Sequence, residues 1–97
     1  MPVYLMIEIA ITDQEMYAEY VEKVAAVVQR YGGRYLVRGG NVVSLAGDWC
    51  PQRIILVEFE AIEQIQKCFT SPEYLDLAPL RERSTTSRAI ILEGCQL

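Results

Sequence analysis

Four stretches of the chain have the hydrophobic pattern of β-strands. VYLMIEIAI (3–11) is rich in β-branched and aromatic residues and is too short for a helix. RYLVR (34–38) alternates along its length, RIILVEFE (53–60) is the strongest strand pattern, and SRAIILEG (87–94) is the last. The sequence therefore predicts four strands.

Two segments between these strands have helical spacing. Thr12 stands three residues before Glu15, which predicts a capping box at the start of the first helix. Gly32 is predicted to end that helix as a glycine in the left-handed conformation. Apolar residues recur along the helix every 3.6 residues. This stripe consists of Tyr17, Tyr20, Val21, Val24, Val27, Val28 and Tyr31. AIEQIQKCF (61–69) predicts a shorter second helix.

Prolines and glycines mark the connections. Ser71 can cap a turn that Pro72 begins, and Pro79 is predicted to end that turn. Gly39 and the glycine after it permit a β-bulge or a close backbone approach at the end of the second strand. VVSL (42–45) is then expected to continue in extended form.

The order of elements, β-α-β-β-α-β, is that of the ferredoxin-like fold. Right-handed crossovers then give a four-stranded antiparallel sheet of order 4-1-3-2 with the helices on one face. No repeat or linker interrupts the chain, so residues 1–97 are predicted to form one α+β domain.

Neighbouring residues of a strand point to opposite faces of the sheet, and this parity predicts which side chains lie under the helices. The predicted helix-side set is Val3, Leu5, Ile7, Ile9, Tyr35, Val37, Ile55, Val57, Phe59, Ile90 and Leu92. The other face, called the open face below, is predicted to carry Tyr4, Met6, Glu8, Arg34, Leu36, Arg38, Ile54, Leu56, Glu58, Ala89, Ile91 and Glu93.

The predicted open face is too apolar for a sheet surface in water. Six of its side chains would each forgo roughly 1.5–3 kcal/mol if left exposed. A second copy of the chain packed face to face would cover them, so we expect a C2 homodimer, a dimeric α/β barrel. An unpaired charge buried there is costly, and we expect Glu8 to pair with Arg38 and Glu58 with Arg34.

Composition excludes several classes of function. The net charge is −4 and the basic residues are scattered, which argues against nucleic-acid and membrane binding. No apolar run is long enough to span a membrane and the first residues lack the features of a signal peptide, so we expect a cytoplasmic protein. The three cysteines fit neither a disulfide framework nor a CxxC pair. There is no histidine, which argues against haem ligation by histidine, the usual zinc sites and histidine-based nucleophilic catalysis, and we expect no metal and no cofactor.

Arginines and tyrosines are the candidates for chemistry. Arg38 either neutralises a carboxylate of the open face or, with Glu8, lines a cavity and holds a small carboxylate or enolate. Tyr74 and Arg81 either present a hydroxyl and a guanidinium at the rim of a cleft or serve surface packing and ion pairing. Tyr20 is either core or a phenol that reaches a pocket.

The loop between the second and third strands contributes two further candidates. Asp48 and Trp49 lie at the end of the sheet where Glu8 is expected, and they either mark a ligand mouth or pack against a partner subunit. The candidate acid or base residues are thus Tyr74, Glu8 and Tyr20. The candidate binding residues are Arg38, Arg81, Asp48 and Trp49.

At GGRYLVRGG, together with RIILVEFE, SPEY, Arg81 and IILEG, the sequence resembles the family called domain of unknown function 1330. The resemblance extends over residues 2–94 and implies a ferredoxin-like domain of the dimeric α/β-barrel superfamily. That superfamily includes cofactor-free monooxygenases, haem-degrading enzymes, lactone isomerases and ligand-binding domains. Most of those enzymes depend on a histidine, so the resemblance does not carry their activities over to this chain. Cys50 departs from the proline or small residue expected in its loop.

Two functions remain open at this point. The first is a dimer that binds or acts on a small carbonyl or carboxylate metabolite, with Arg38 or Arg81 as the anion anchor. The alternative is a non-catalytic structural or regulatory dimerisation domain, in which the charges of the open face only set the register of the two subunits.

Overall fold

Four strands and three helices form the fold in the computed structural model, which describes residues 1–95. The predicted single domain, 1–97, thus ends with two residues outside the described part. The strands are β1 (Val3–Ile11), β2 (Arg34–Arg38), β3 (Arg53–Phe59) and β4 (Thr85–Glu93). The helices are α1 (Gln14–Arg30), α2 (Ile62–Phe69) and α3 (Pro72–Ser84).

The sheet is antiparallel and has the order β2-β3-β1-β4, which confirms the predicted 4-1-3-2 arrangement and the ferredoxin-like fold. The helices lie on one face, and the core forms between them and the sheet. The core consists of Leu5, Ile9, Tyr17, Tyr20, Val24, Val28, Ile55, Val57, Phe59, Ile65, Cys68, Tyr74 and Leu77.

The first helix begins one residue later than predicted. Asp13, rather than Thr12, is its N-cap, and the Asp13 carboxylate accepts a hydrogen bond from the backbone N–H of Met16 at 3.1 Å. The backbone N–H of Thr12 donates instead to the carbonyl of Ser84, at 2.7 Å. Thr12 is therefore held by the end of α3, which moves the start of the helix to the next residue. At the other end the prediction for Gly32 is confirmed, since this residue follows the C-cap with φ of +89°.

Pro79 does not end a turn, as was predicted, but lies inside α3. Proline in a helix interior costs about 3 kcal/mol, because it removes a hydrogen bond and clashes with the preceding turn. Tertiary packing offsets that cost here. Pro79 itself is exposed, while Leu77 and Ser84 on either side of it are buried. Helix α3 thus continues to Ser84 and passes directly into β4.

The parity predicted for β4 is wrong. Because β4 begins at Thr85 without a loop, its register pairs Ile9 with Ser87 and Met6 with Ile90. Ser87, Ala89 and Ile91 therefore share the helix side, as does Glu93. Arg88, Ile90 and Leu92 lie on the open face instead.

A β-bulge reverses the parity of β2 after its second residue. Tyr35 is opposite Val57 on the helix side, but Val37 is opposite Leu56 on the open face. Leu36 is the extra residue of the bulge. Arg38, predicted for the open face, is therefore opposite Ile55 on the helix side. Residues 40–45, which include the segment 42–45 predicted to be extended, form no strand of the sheet.

Candidate functional site

A cavity lies between the helices and the sheet, and three arginines line it together with apolar and aromatic side chains. Its volume is about 40 Å³, which is room for a few water molecules. The arginines are Arg38, Arg53 and Arg81, and we call this space the arginine cavity. Valine, isoleucine and phenylalanine side chains supply most of the remaining wall.

Arg38 reaches this cavity because of the bulge in β2. Its Nη2 donates to the backbone carbonyl of Val21 on α1, at 3.0 Å. Its guanidinium carbon lies 4.9 Å from the centre of the Tyr35 ring, a cation–π contact. Among the described residues no carboxylate lies within ion-pair distance of Arg38. The predicted pairing of Arg38 with Glu8 is therefore wrong, since the bulge places the two on opposite faces of the sheet.

Arg53 begins β3 and was not predicted as a site residue. Its Nε donates to the Tyr17 hydroxyl at 3.0 Å, and its guanidinium carbon lies 5.5 Å from the centre of that ring. Its Nη2 donates to the backbone carbonyl of Arg38 at 3.4 Å. Strand parity could have identified it, because Arg53 stands two residues before the buried Ile55 and therefore faces the helices.

Arg81 projects from α3 into the same cavity, and its side chain is 31% exposed. Its Nη1 donates to the hydroxyl of Ser87 at 3.1 Å, and its Nη2 lies 3.9 Å from a carboxylate oxygen of Glu82. Its Nε is buried and has no hydrogen-bond partner within residues 1–95. Buried polar atoms are rarely left unpaired, so this N–H is an exception among the described residues.

Two buried phenols meet beside the cavity. The hydroxyl oxygens of Tyr20 and Tyr74 are 3.0 Å apart, and either can donate to the other. Tyr20 lines the arginine cavity, while Tyr74 lies behind it, held by a hydrogen bond from its backbone N–H to the Ser71 hydroxyl. Burial, followed by the neighbouring phenol of Tyr74, raises the pKa of Tyr20, so its hydroxyl stays protonated at neutral pH. Four of the predicted site residues thus come together here, namely Tyr20, Tyr74, Arg38 and Arg81.

The other predicted candidates lie elsewhere. Glu8 is on the open face, where its carboxylate accepts from Nε of Arg88 at 2.5 Å and from the indole N–H of Trp49 at 3.3 Å. The Arg88 hydrogen bond is the main cause that lowers the pKa of Glu8. Asp48 is exposed on the loop before Trp49. Glu8, Arg88 and Trp49 therefore form a cluster at one end of the open face, and the sheet separates this cluster from the arginine cavity.

A second polar cluster lies at the β2 side of the open face. Nη2 of Arg34 is 3.1 Å from a Glu58 carboxylate oxygen, which confirms the predicted pairing. The hydroxyl of Tyr4 donates to the other oxygen of Glu58 at 3.2 Å. Burial and the Glu58 hydrogen bond raise the pKa of Tyr4. Both carboxylates of the open face thus have basic partners within their own chain.

Within residues 1–95, no group of three or more histidine, cysteine, aspartate or glutamate side chains is placed to hold a metal ion. In the same part of the chain, no helix has the length and apolar character that crossing a membrane requires.

Comparisons with known proteins give a family and a fold. A family model described as a domain of unknown function (DUF1330) matches residues 2–95. No curated protein matches the chain significantly. Among solved structures, the RPA0582 protein of unknown function from Rhodopseudomonas palustris is similar with a TM-score of 0.83 and 19% identity, covering 99% of this chain and 84% of that one.

Two further structures have the same fold at lower identity. SnoaB, a cofactor-independent oxygenase from Streptomyces nogalater, has a TM-score of 0.72 and 12% identity, covering 99% of this chain and 95% of that one. A dimeric protein of unknown function and ferredoxin-like fold from Bacteroides fragilis has a TM-score of 0.66 and 10% identity, covering 96% of each chain. These similarities establish the ferredoxin-like fold.

Proposed function

This chain belongs to the family described as domain of unknown function (DUF1330), and we propose that it forms a homodimer that binds a small carboxylate or enolate in the arginine cavity. The observation that carries this proposal is the convergence of Arg38, Arg53 and Arg81 on one apolar cavity. Within the described residues, Arg38 and Arg53 have no ion-pair partner. Arg81 has one ion-pair partner in this part of the chain, Glu82, whose carboxylate oxygen lies 3.9 Å from Nη2.

The charge of the cavity favours an anion. The chain as a whole has 13 acidic and 9 basic residues, yet three of the basic residues line a single cavity. Like charges held together in a partly water-excluded space repel one another, and an anion among them removes that repulsion. Guanidinium groups also bind carboxylates with well-defined geometry, which lysine does not.

The size and lining of the cavity limit the ligand. A volume of about 40 Å³ is small compared with the roughly 300–1,000 Å³ of drug-sized pockets. Arg38 is exposed at the cavity, so a ligand can reach its guanidinium group from solvent. The ligand we propose therefore has one anionic group and a short apolar body, which would lie against Val21, Val24 and Phe69.

The open face supports the dimer. Its apolar side chains are partly or largely exposed in the single chain, including Ile90 at 55%, Leu92 at 42% and Val37 at 40%. Trp49 covers only the end of the face near Glu8. Because Glu8 and Glu58 already pair within the chain, a second copy can cover this surface without burying an unpaired carboxylate.

The similarity to SnoaB supports the fold alone at 12% identity, so oxygenation is not part of this proposal. Binding without catalysis is sufficient to account for the arginine cavity.

The proposal is tested by calorimetric titration with acetate, butyrate and benzoate, each compared with its uncharged amide. We expect at least one carboxylate to bind more tightly than its amide, and Arg38→Gln and Arg81→Gln to weaken that binding about tenfold or more, since each removes a charged hydrogen-bond donor. Arg83→Gln is the matched control, because Arg83 is exposed on α3 and does not line the cavity. Equal binding of acids and amides, or equal effects of all three substitutions, would refute the proposal.

A further inference from the structure

The loop between β2 and β3 holds the most exposed apolar side chains of the described chain. Residues 41–46, which we call the apolar arm, have the sequence NVVSLA and carry no charge. Val43 is 86% exposed and Leu45 is 99% exposed, the two highest values among the large hydrophobic residues that the structure describes. Exposed loops are ordinarily polar, and a run of exposed apolar residues marks a surface that meets a partner.

The backbone of the apolar arm is not tied to the rest of its own chain. Within residues 1–95, no hydrogen bond joins the N–H and C=O groups of the arm to another backbone group. Glycines with positive φ flank the arm, Gly40 at +93° and Gly47 at +79°, and no atom lies within 4 Å of a Cβ atom built on either. The N–H and C=O groups of the arm are therefore open to a neighbouring chain as well as to water.

An apolar groove lies between the arm and the open face, with a volume of about 360 Å³. The arm lines it together with Trp49, Pro51 and Ile54. Ile54 is opposite Glu8 in the sheet, and the indole N–H of Trp49 donates to the Glu8 carboxylate at 3.3 Å. The arm thus adjoins one end of the open face, and a molecule that packs on that end also contacts the arm.

We propose that the apolar arm of each subunit packs against the open face of a second copy of the chain, where Val43 and Leu45 become buried. This inference rests on the homodimer of the proposed function and adds residues 41–46 to its interface. The open face offers apolar side chains for this contact, including Ile90 at 55% and Leu92 at 42% exposure. In a C2 dimer both subunits supply an arm and a face, so each contact forms twice.

The distribution of charge is compatible with burial of the arm between two copies. The arm has no charged residue, and Asp48 follows it after Gly47, outside the segment that becomes buried. At the adjoining end of the open face, Glu8 pairs with Arg88 within the chain. Packing of the arm on a second copy therefore leaves no carboxylate of the open face unpaired, and burying an unpaired charge is the main cost of such an interface.

The reactivity of a thiol at position 45 tests the contact. Leu45→Cys is made in the Cys50→Ser/Cys95→Ser background, where the remaining native thiol, Cys68, is buried. At a concentration where light scattering gives a dimer, we expect a disulfide reagent to label position 45 at least tenfold more slowly than in the same variant carrying Ile90→Glu. That further substitution charges the open face and should give a monomer, in which position 45 is exposed.

Leu75→Cys in the same background is the matched control. Leu75 is 56% exposed on α3, on the side of the sheet away from the open face. A thiol at position 75 should therefore react equally fast with and without Ile90→Glu. Thermal melting of each variant verifies that it is folded.

The dimer dissociation constant gives a second measurement, by sedimentation equilibrium of the full-length protein. Burial of one apolar side chain is worth about tenfold in affinity, and Leu45→Asp changes both arms of the dimer, so the dissociation constant should rise about a hundredfold. Leu75→Asp should leave the dissociation constant unchanged.

Equal labelling of position 45 in the dimer and in the Ile90→Glu monomer would overturn the arm contact. A dissociation constant for Leu45→Asp equal to that for Leu75→Asp would overturn it as well. In both cases a dimeric wild type would leave the proposed homodimer standing, and only this inference would fail. A monomeric wild type would refute the homodimer and the arm contact together.

Discussion

A side chain at Gly39 would occupy the space that the guanidinium group of Arg53 fills. A Cβ atom built on Gly39 collides with Nη1 and the guanidinium carbon of Arg53, and the φ angle of Gly39 is +79°. The glycine at the end of β2 thus allows Arg53 to lie against the backbone while its Nε donates to the Tyr17 hydroxyl. This contact links the glycine pair after RYLVR to the arginine cavity.

Replacing Gly39 by alanine should therefore cost more than replacing Gly40. Gly40 also has a positive φ, +93°, but nothing lies within 4 Å of a Cβ atom built there. Gly40→Ala should lose about 1–2 kcal/mol for the backbone alone. Gly39→Ala should lower the free energy of unfolding by about 1.5 kcal/mol more than Gly40→Ala does, because Arg53 must give up its hydrogen bond to the Tyr17 hydroxyl. Urea denaturation of the two variants measures the difference, and equal losses would show that the Arg53 contact contributes nothing.

The same segment shows what the sequence could and could not predict. The bounds of β1 and β2 follow from their composition and alternation, and both are confirmed. The sequence does not predict the bulge at Leu36, because a bulge adds one residue to a strand without changing the local pattern of apolar positions. That one residue moves Arg38 to the helix side, and for this reason Arg38 lines the arginine cavity instead of lying on the open face.

Strand β4 was misassigned for a related reason. AIIL is apolar at every position, so the alternation that distinguishes two faces is missing. Its register is fixed instead by α3, which continues through Pro79 and joins β4 directly. Whether a helix passes a proline depends on tertiary packing, here the burial of Leu77 and Ser84, and a local pattern does not contain that information.

The dimer is tested by placing a charge on the open face. Ile90 lies on that face and is 55% exposed in the single chain. We expect light scattering at micromolar concentration to give a dimer for the wild type and a monomer for Ile90→Glu, because a charge buried at the interface costs several kcal/mol. Ile62→Glu is the matched control, since Ile62 is 41% exposed on α2, and it should remain a dimer. A monomeric wild type would contradict the proposal directly.

The three thiols should differ in reactivity. Cys50 and Cys95 are exposed, whereas Cys68 is fully buried, and burial raises its pKa to about 11. Because the thiolate is the reactive form, Cys68 should react with a disulfide reagent only after unfolding. In the double variant Cys50→Ser/Cys95→Ser, Cys68 is the remaining thiol. We expect no rapid reaction of this variant with the reagent at pH 8 while it is folded, and one reacting thiol per chain in denaturant. Rapid labelling of the native double variant would mean that the core at Cys68 opens readily.

The ion pair between Glu8 and Arg88 should make stability depend on pH. The pKa of Glu8 is lowered from 4.5 in the folded protein, chiefly by the Arg88 hydrogen bond. A carboxyl group with a lowered folded-state pKa contributes stability that is fully present above its unfolded pKa and is lost as the pH falls through the folded value. Glu8→Gln should therefore destabilise the protein at pH 7 and make little difference at acid pH, where the wild-type carboxyl is protonated. Urea denaturation at both pH values measures this, and Arg88→Gln should reproduce the loss at pH 7. If Glu8→Gln and Arg88→Gln were additive in the double variant, the two residues would not be coupled.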